Sequence, residues 1–479
     1  MKNTLLIVIV LFAISCEDIL TEEPGAIVQE TFYNTPEEVT TAVNAIYAPI
    51  KVYNCLGFLY PSQLESYSDF AHGRGSYSVL SNYQGLDNTN ITRVGLIWNN
   101  LYLGIRNANL VIGSVPKSTQ MSESEKNKFI AEAKFLRAFA YFQIVRNWGK
   151  AVLSTELNIS EQDVPLSNEQ DVYNFIVADL LFAEQHLSDN PAIAGRPSKW
   201  SAKTLLADVY FYRKLYAEAK NKASEVIESK KYSLVEVGKV EDFQKIFGAD
   251  VISSPEEIFY LKFSRETGYV WDYVEFLHHP SDTYLNGKGL YALYLDTAKY
   301  TVYGKWNKND LRKRLWFPWK IGLGNHTVLS LKFIDPKSVS GAGNDYPLYR
   351  YADLLLLYAE AACIVNKGPN ADVVEKLNMV HRRGYGRNSL QPSEFDFKLS
   401  DFSGQESFLD AVLLERGYET QLEGGKRWLD LKRSGKVKEI IKAGTGMDVA
   451  DKHLLWPVPE AEMNINKAID PKSDQNPGY

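Results

Sequence analysis

Apolar residues recur at intervals of three and four along most of this chain, a spacing that predicts amphipathic helices. Helices are predicted over residues 36–47, 97–111, 127–148, 171–187, 349–365, 371–382 and 405–423. Thr35, just before the first of them, is a residue type that caps helix N-termini. Residues 201–230 place small residues at the offsets of a tetratricopeptide helical hairpin. Because one hairpin cannot bury its apolar face alone, we expect hairpins from both halves of the chain to stack around one core.

The pattern changes over residues 265–319, where 13 residues are aromatic and the helical period fades. Glycines and prolines, among them Gly287, Gly304 and Pro318, interrupt the segment. Long irregular segments in compact proteins are usually functional or disordered, and this one is too aromatic to be disordered. The sequence therefore predicts a mainly α-helical scaffold with a loop-rich, aromatic excursion that binds a ligand.

Residues 415–435, ERGYETQLEGGKRWLDLKRSG, predict a helix that ends at Gly424 and Gly425 and a second short helix around Trp428. The apolar face assigned to the first helix consists of Leu413, Leu414, Tyr418 and Leu422. The charged residues of the second helix, Asp430, Lys432 and Arg433, are left for solvent or for ion pairs.

The N-terminus has the layout of an export signal, with Lys2 followed by an apolar run over residues 5–14. That run is too short to span a bilayer. The sequence Ala-Ile-Ser-Cys ending at Cys16 resembles a bacterial lipoprotein box, in which the cysteine is lipidated and the signal is removed; a non-lipidated secretory signal is the alternative. We expect a signal peptide over residues 1–15, a tether over 16–30 and one fold over 31–479, in which residues 31–250 and 251–479 form two parts.

Composition argues against several functions. The net charge of −6 and the lack of a long basic stretch argue against nucleic acid as a partner. Besides Cys16, only Cys55 and Cys363 are present, so no disulfide framework is expected. No zinc motif, nucleotide-binding loop or Gly-x-Ser-x-Gly elbow is found, so no metal, cofactor or catalytic residue is predicted. The pair His278-His279 leaves a minor metal hypothesis, and paired carboxylates leave a glycosidase as an outside possibility.

Four segments resemble one family. Residues 132–153, EAKFLRAFAYFQIVRNWGKAVL, and residues 349–362, YRYADLLLLYAEAA, resemble two markers of the SusD/RagB family of outer-membrane lipoproteins. Residues 415–435 resemble its ERR-x-EL…EG-x-RW-x-DL block, and the C-terminal LLWPVPEAEMNIN…QNPGY resembles its last marker. Gly417 in place of a second arginine, Gln421 in place of a small or apolar residue, and a missing proline at residues 151–153 are departures from the pattern.

The resemblance implies a non-enzymatic lipoprotein of the outer membrane, lipid-anchored and facing the cell exterior. It implies capture of an oligosaccharide and its delivery to a SusC-like, TonB-dependent barrel, which the tetratricopeptide-like side would face. Capture of a peptide, as in a RagB-type relative, is the alternative.

Sugar capture uses aromatic planes for pyranose C–H faces and polar side chains for hydroxyls. Two regions combine these groups, residues 65–90 and the aromatic excursion. The ligand-binding candidates are Tyr67, Asp69, Arg74, Tyr83, Trp271, Tyr273, Tyr284, Trp306 and Trp319. Each has a structural alternative: the aromatic residues could belong to the core, and Asp69 and Arg74 could form an exposed ion pair with each other.

Overall fold

A computed structural model of the protein describes residues 32–319, 322 and 325–479. The predicted signal peptide, the tether and Cys16 lie outside the described residues. The α-helices are α1 Pro36–Lys51, α2 Leu59–Glu65, α3 Ser78–Ser81, α4 Asn88–Ser114, α5 Glu123–Trp148, α6 Glu169–His186, α7 Lys199–Tyr212, α8 Tyr216–Glu228, α9 Gln244–Phe247, α10 Tyr273–Leu277, α11 Thr301–Lys305, α12 Tyr351–Val365, α13 Ala371–Gly384, α14 Gln405–Thr420, α15 Lys426–Arg433, α16 Val437–Thr445 and α17 Glu460–Ile465. Within these ranges, no helix is both long and apolar enough to cross a membrane.

The strands are short and pair antiparallel. They are β1 His72–Gly73, β2 Ala151–Val152, β3 Leu166–Ser167, β4 Glu257–Leu261, β5 Leu293–Asp296, β6 Trp316–Pro318, β7 Thr327–Ser330 and β8 Tyr346–Arg350. One sheet has the order β1-β5-β7-β6, and the pairs β2-β3 and β4-β8 form two smaller sheets. The excursion predicted to be irregular therefore contributes β5 and β6 to the largest of these sheets.

The long helices pack as a continuous series. Helix α1 contacts α4, α4 contacts α5, and the series continues through α6, α7 and α8 to α12, which also contacts α13 and α14. The helices α7 and α8 form the hairpin predicted from residues 201–230, with Ala207, Ala219 and Ala223 buried where they meet. The predicted scaffold of stacked hairpins from both halves of the chain is confirmed.

The helix starts follow local capping chemistry. The Thr35 hydroxyl accepts a hydrogen bond from the Glu38 backbone N–H, and the Glu38 carboxylate accepts from the Thr35 N–H, so both ends of a capping box are present. Ser122 and Glu125 do the same at the start of α5. Because these capping residues lie within four residues of the helix start, such a start can be predicted from the sequence.

The two glycines between α14 and α15 allow a close approach of the chain to its neighbours. Gly424 and Gly425 have φ of +74° and +82°, a region that favours glycine. A Cβ on Gly424 would lie 1.5 Å from the Tyr346 hydroxyl, and one on Gly425 would lie 2.1 Å from the Leu64 Cβ. The prediction that α14 ends at this pair is correct to within a few residues, since the helix ends at Thr420.

The predicted apolar face of α14 is wrong in one respect. Leu414 is 41% exposed, whereas Glu415, Arg416 and Glu419 on the same helix are buried. A helix can bury charged side chains when each meets a partner of opposite charge. The same holds for Asp430 of α15, which is buried and pairs with Arg416 and Arg433. The Arg433 side chain, only 5% exposed, also pairs with Glu360.

These charges belong to a buried ion-pair network that joins segments distant in sequence. Its members are Glu256, Asp310, Arg312, Lys332, Arg350, Arg383, Glu415, Glu419 and Glu423, each 3% exposed or less. Arg350 donates to Glu256 over 3.0 Å, to Glu419 over 2.9 Å and to Glu423 over 2.6 Å.

Glu419 lies at the centre of this network. It accepts from Arg312, Arg350 and Arg383. Burial alone would raise the pKa of Glu419, but Arg383, Arg350 and Arg312 hold that pKa well below its ordinary value. The network therefore keeps Glu419 ionised inside the protein, and its charges depend on one another.

Replacing Arg350 with methionine tests this dependence. The variant leaves Glu256, Glu419 and Glu423 without their shared cation, so we expect the free energy of unfolding in urea to fall by ~3–5 kcal/mol. The matched control is Arg387→Met, which breaks the exposed pair between Arg387 and Glu394 and should leave the unfolding midpoint unchanged. Equal urea midpoints for the two variants would contradict the role of the network.

Candidate functional site

A partly exposed group of rings covers the outer side of the four-stranded sheet. We call it the aromatic face and define it by Arg74, His279, Tyr284, Tyr291, Phe317 and Trp319. The Tyr291 and His279 rings lie 4.5 Å apart between centroids, and His279 and Trp319 lie 6.1 Å apart. Trp319 contacts Phe317 at 5.6 Å, and Phe317 contacts Tyr284 at 5.1 Å. The rings thus form an uninterrupted series.

Strand alternation produces one end of this face. Successive side chains of a strand point to opposite sides, so Trp316 enters the main core while Phe317 and Trp319 lie on the other side. There they pack on the buried Tyr294 of β5 and Leu329 of β7. The Trp319 backbone N–H donates to the Thr327 carbonyl oxygen over 3.1 Å, which extends the pairing of β6 with β7 as far as this tryptophan.

A buried aspartate fixes the loop that carries His279 and Tyr284. The Asp282 carboxylate accepts from the backbone N–H groups of His279 over 2.9 Å and Tyr284 over 3.0 Å, and it lies 3.1 Å from the His278 ring. Burial raises the pKa of Asp282, but hydrogen bonds from His278 and from backbone N–H groups hold it below its ordinary value. The aspartate is thus an ionised anchor, and the two exposed rings are held in place.

Arg74 closes the other end of the face. Its guanidinium lies 3.6 Å from the Tyr291 ring centroid, and its Nη1 donates to the Tyr291 carbonyl oxygen over 3.1 Å. Its backbone N–H donates to the Ala292 carbonyl oxygen over 2.7 Å, which ties β1 to the start of β5. Arg74 therefore presents a positive group beside a series of rings.

A second arginine, Arg93, also lies over a tyrosine ring. The Arg93 guanidinium lies 3.9 Å from the Tyr77 ring centroid and donates to the Ser76 hydroxyl over 2.8 Å and to the Asn90 side-chain oxygen over 3.0 Å. Tyr77 in turn contacts Phe276 of α10, the helix that precedes His278 and His279. Arg93 is thus joined to the aromatic face through the segment that follows β1 and through α10.

Two acids of α10 and its N-cap border this region. Burial raises the pKa of Asp272 to about 6. Burial raises the pKa of Glu275 to about 7, and the charge of Asp272 raises this pKa further. The positive charge of Lys288 acts in the opposite direction and lowers the pKa of Glu275. Near neutral pH the two acids therefore carry less negative charge than ordinary surface carboxylates.

Three of the nine predicted ligand-binding side chains, Arg74, Tyr284 and Trp319, lie together on the aromatic face. The six others are buried and do not face solvent. Tyr67 stacks on Trp428 at 4.9 Å, and the Tyr83 hydroxyl donates to the Tyr67 carbonyl oxygen. Asp69 pairs with Arg427 through two contacts of 2.8 Å rather than with Arg74.

The remaining three candidates belong to the core of the excursion. Trp271 stacks on Tyr346 at 5.0 Å, and Tyr273 lies beside it, both with 0% exposure. Trp306 stacks on Tyr418 at 4.3 Å and donates its ring N–H to Asp310 over 2.9 Å. Their burial corrects the prediction, because the polar neighbours of these rings in sequence turn outward while the rings fill the interior.

The sequence interpretation missed His279, Tyr291 and Phe317. The alternation of Trp316, Phe317 and Trp319 was the available signal for Phe317. No comparable local signal marks Tyr291, whose position on the face depends on contacts with Arg74 and with the His278 backbone. The pair His278-His279 is the sequence's minor metal hypothesis, and among the described residues no group of three or more histidines, cysteines or acids could hold a metal.

The fold matches solved structures. A SusD homologue of Bacteroides thetaiotaomicron aligns with a TM-score of 0.79 at 23% identity, over 94% of this chain and 98% of that one. A SusD superfamily protein of Parabacteroides distasonis aligns with a TM-score of 0.76 at 24% identity, over 92% and 99%. A SusD-like carbohydrate-binding protein of Bacteroides fragilis aligns with a TM-score of 0.73 at 20% identity, over 92% and 100%. A helical scaffold of SusD type is the class that this fold defines.

Family models and curated relatives give the same result. Residues 325–479 match the SusD family, and residues 20–211 match a family described as starch-binding and associating with the outer membrane. Two SusD-like proteins of Formosa agariphila are 25% and 26% identical, over 100% and 99% of this chain and 99% and 98% of their own lengths. A SusD-like protein of Bacteroides ovatus is 35% identical over 44% of this chain and 40% of its own. The chain belongs to the SusD/RagB family, as its four marker segments predict.

The exposure of Trp319 is measurable. Seven of the nine tryptophans are buried, and Trp200 and Trp319 are partly exposed. We expect Trp319→Phe to lower the fraction of tryptophan fluorescence that acrylamide quenches, because it removes one of the two accessible rings. Trp271→Phe removes a buried ring and should raise that fraction slightly. A quenchable fraction unchanged in Trp319→Phe would contradict the exposed position of this residue.

Proposed function

We propose that the protein captures an oligosaccharide on the aromatic face. The observation that carries this proposal is the uninterrupted series of partly exposed rings from Tyr291 through His279, Trp319 and Phe317 to Tyr284, with Arg74 at its end. The C–H faces of pyranose rings pack on aromatic planes, and the Arg74 guanidinium supplies donors for sugar oxygens. The proposed role is binding without catalysis.

The comparisons support a sugar as the ligand. One matching family model is described as starch-binding, and one solved structure of the same fold is named as carbohydrate-binding. A preformed row of rings also suits a chain of linked sugars, since each ring can contact a successive residue at little cost in ordering. A peptide ligand is the alternative that the experiment below distinguishes.

Capture is proposed to serve uptake at the outer membrane. The matched family is described as associating with that membrane, and the lipoprotein box at Cys16 supports a lipid anchor on the outer surface. Delivery to a SusC-like, TonB-dependent barrel is part of the proposal and rests on membership of the family. The packed series of helices, α1, α4 to α8 and α12 to α14, offers a surface for that partner. This surface is formed by segments other than those of the aromatic face.

Binding to a glycan array tests the proposed ligand class. We expect Trp319→Ala and Tyr291→Ala to weaken binding to the glycan found by about tenfold, roughly 1.4 kcal/mol, as measured by isothermal titration. Trp200→Ala is the matched control, because Trp200 is also partly exposed but lies on α7, and it should bind as the parent does.

Other results would overturn the proposal in recognisable ways. Binding to peptides and to no glycan would favour the RagB-type alternative. Release of shorter products from a bound glycan would indicate a glycosidase. An equal loss of affinity in Trp200→Ala would move the binding site from the aromatic face to the helical scaffold.

The anchor is tested separately. In a host that processes lipoproteins, Cys16→Ala should move the protein from the membrane fraction to the soluble fraction, because two or more acyl chains are needed for stable anchoring. Cys55→Ala is a control that keeps Cys16 and should leave the protein in the membrane fraction. If Cys16→Ala remained with the membrane, lipid anchoring at this residue would be wrong.

A further inference from the structure

Among the residues that the structure describes, the two stacked arginines beside the aromatic face have no acidic partner. Twelve of the seventeen arginines form ion pairs with a carboxylate. Within the described ranges, neither Arg74 nor Arg93 does. Their hydrogen-bond partners are neutral: the Tyr291 carbonyl oxygen for Arg74, and the Ser76 and Asn90 side chains for Arg93. Arg74 and Arg93 are two of the five arginines without an ion pair among the described residues, and they are the two that lie beside the aromatic face.

The two positive groups are held on the same part of the surface. Arg93 donates to the hydroxyl of Ser76, which lies two residues after Arg74. Each guanidinium lies over a tyrosine ring, Arg74 over Tyr291 and Arg93 over Tyr77, and hydrogen bonds hold each of them there. Two unneutralised like charges repel each other, and a bound anion would relieve that repulsion. A bound anion would therefore be favoured by the positive charge that these two groups leave on this surface.

Arg74 has donor groups left for such an anion. Its Nη1 is the guanidinium nitrogen that donates to Tyr291, and Nε and Nη2 donate to no acceptor among the residues that the structure describes. A guanidinium edge offers two parallel N–H groups, which match the two oxygens of a carboxylate or of a sulfate ester. Because the guanidinium rests on the Tyr291 ring and its Nη1 is bonded to the Tyr291 carbonyl oxygen, this edge is held in place before a ligand arrives.

The nearby acids do not neutralise the two arginines. Asp272 and Glu275 lie on the α10 side of this surface, and both are partly buried. Among the described residues neither acid forms an ion pair with Arg74 or Arg93, and burial raises the pKa of Asp272 to about 6 and the pKa of Glu275 to about 7. Lys288, the cation that acts on Glu275, is exposed and adds a further positive charge to this surface.

We propose that the oligosaccharide bound by the aromatic face is anionic, carrying a uronic acid carboxylate or a sulfate ester that the free edge of Arg74 binds. In this arrangement the rings from Tyr291 to Tyr284 contact the sugar planes, and Arg93 contributes a second positive charge that favours the anion. The inference rests on the proposed capture of a glycan and adds to it the charge class of that glycan.

The experiment compares anionic and neutral sugars on the mature chain. The probes are oligogalacturonides for the carboxylate, carrageenan oligosaccharides for the sulfate, and maltodextrins and galactan oligosaccharides as neutral sugars, set within a wider glycan array. We expect an anionic probe to bind more tightly than the neutral ones, with an affinity that falls as salt concentration rises. Tighter binding of oligogalacturonides would identify a carboxylate as the recognised group, and tighter binding of carrageenan oligosaccharides would identify a sulfate ester.

Variants then assign the effect to Arg74. Arg74→Met should lower the ratio of anionic to neutral affinity by roughly tenfold, because the charge-assisted hydrogen bonds are lost, while Arg74→Lys should retain part of that ratio. The ratio is insensitive to a general loss of folded protein. Arg213→Met is the matched control, since Arg213 is also a partly exposed arginine without an ion pair among the described residues but lies next to α7.

The outcomes separate this inference from the proposed function. If neutral sugars bind in a Trp319-dependent manner and anionic ones do not, capture of a glycan stands and the charge class is wrong. If anionic sugars bind but Arg74→Met leaves the ratio unchanged, the assignment to Arg74 is overturned. If no sugar of either class binds, both the inference and the proposed function fail.

Discussion

The buried ion-pair network around Glu419 is the interaction on which the rest of this structure depends. It holds together β8 through Arg350, α13 through Arg383 and the aromatic excursion through Arg312. Removing one member would leave another charge buried without a partner, a more costly state than losing a surface pair. The carboxyl groups that lie at the centre of the network belong to the 415–435 block. All members of the network lie in the second half of the chain, and the same block reaches the first half through the ion pair of Arg427 with Asp69.

The aromatic face is tied at both of its ends to the 415–435 block, which carries the central carboxylates of the network. Trp316 donates to Gln421, just after the network helix, and thereby fixes β6 and with it the position of Trp319. At the other end, Arg427 pairs with Asp69, a few residues before Arg74. The scaffold markers thus do not contact a ligand in the proposed arrangement, yet they place the residues that would.

Local signals account for what the sequence predicts well. The capping box at Thr35 and the periodicity of the α7–α8 hairpin act within a few residues or one helical turn, so helices and hairpins are legible. Buried charged residues cannot be predicted in this way, because helical periodicity assigns every Glu and Arg to the solvent-exposed face. The pairing of Asp69 with Arg427 joins residues 358 positions apart. Tyr67 and Trp306 are also aromatic residues next to polar ones. For the same reason the sequence does not distinguish them from the partly exposed Trp319.

The division between scaffold and face explains how a single fold suits different ligands. Loops on a rigid scaffold can change without loss of the core, so ligand chemistry is expected to vary there while the network stays the same. In this chain the loop residues are themselves ordered: Asp282 anchors the segment that carries His279 and Tyr284, and the rings rest on buried Tyr294. A ligand therefore meets rings and a guanidinium already in position, and little conformational entropy is lost on binding. Specificity then depends on a few charged and aromatic side chains at the surface rather than on the signature residues beneath them.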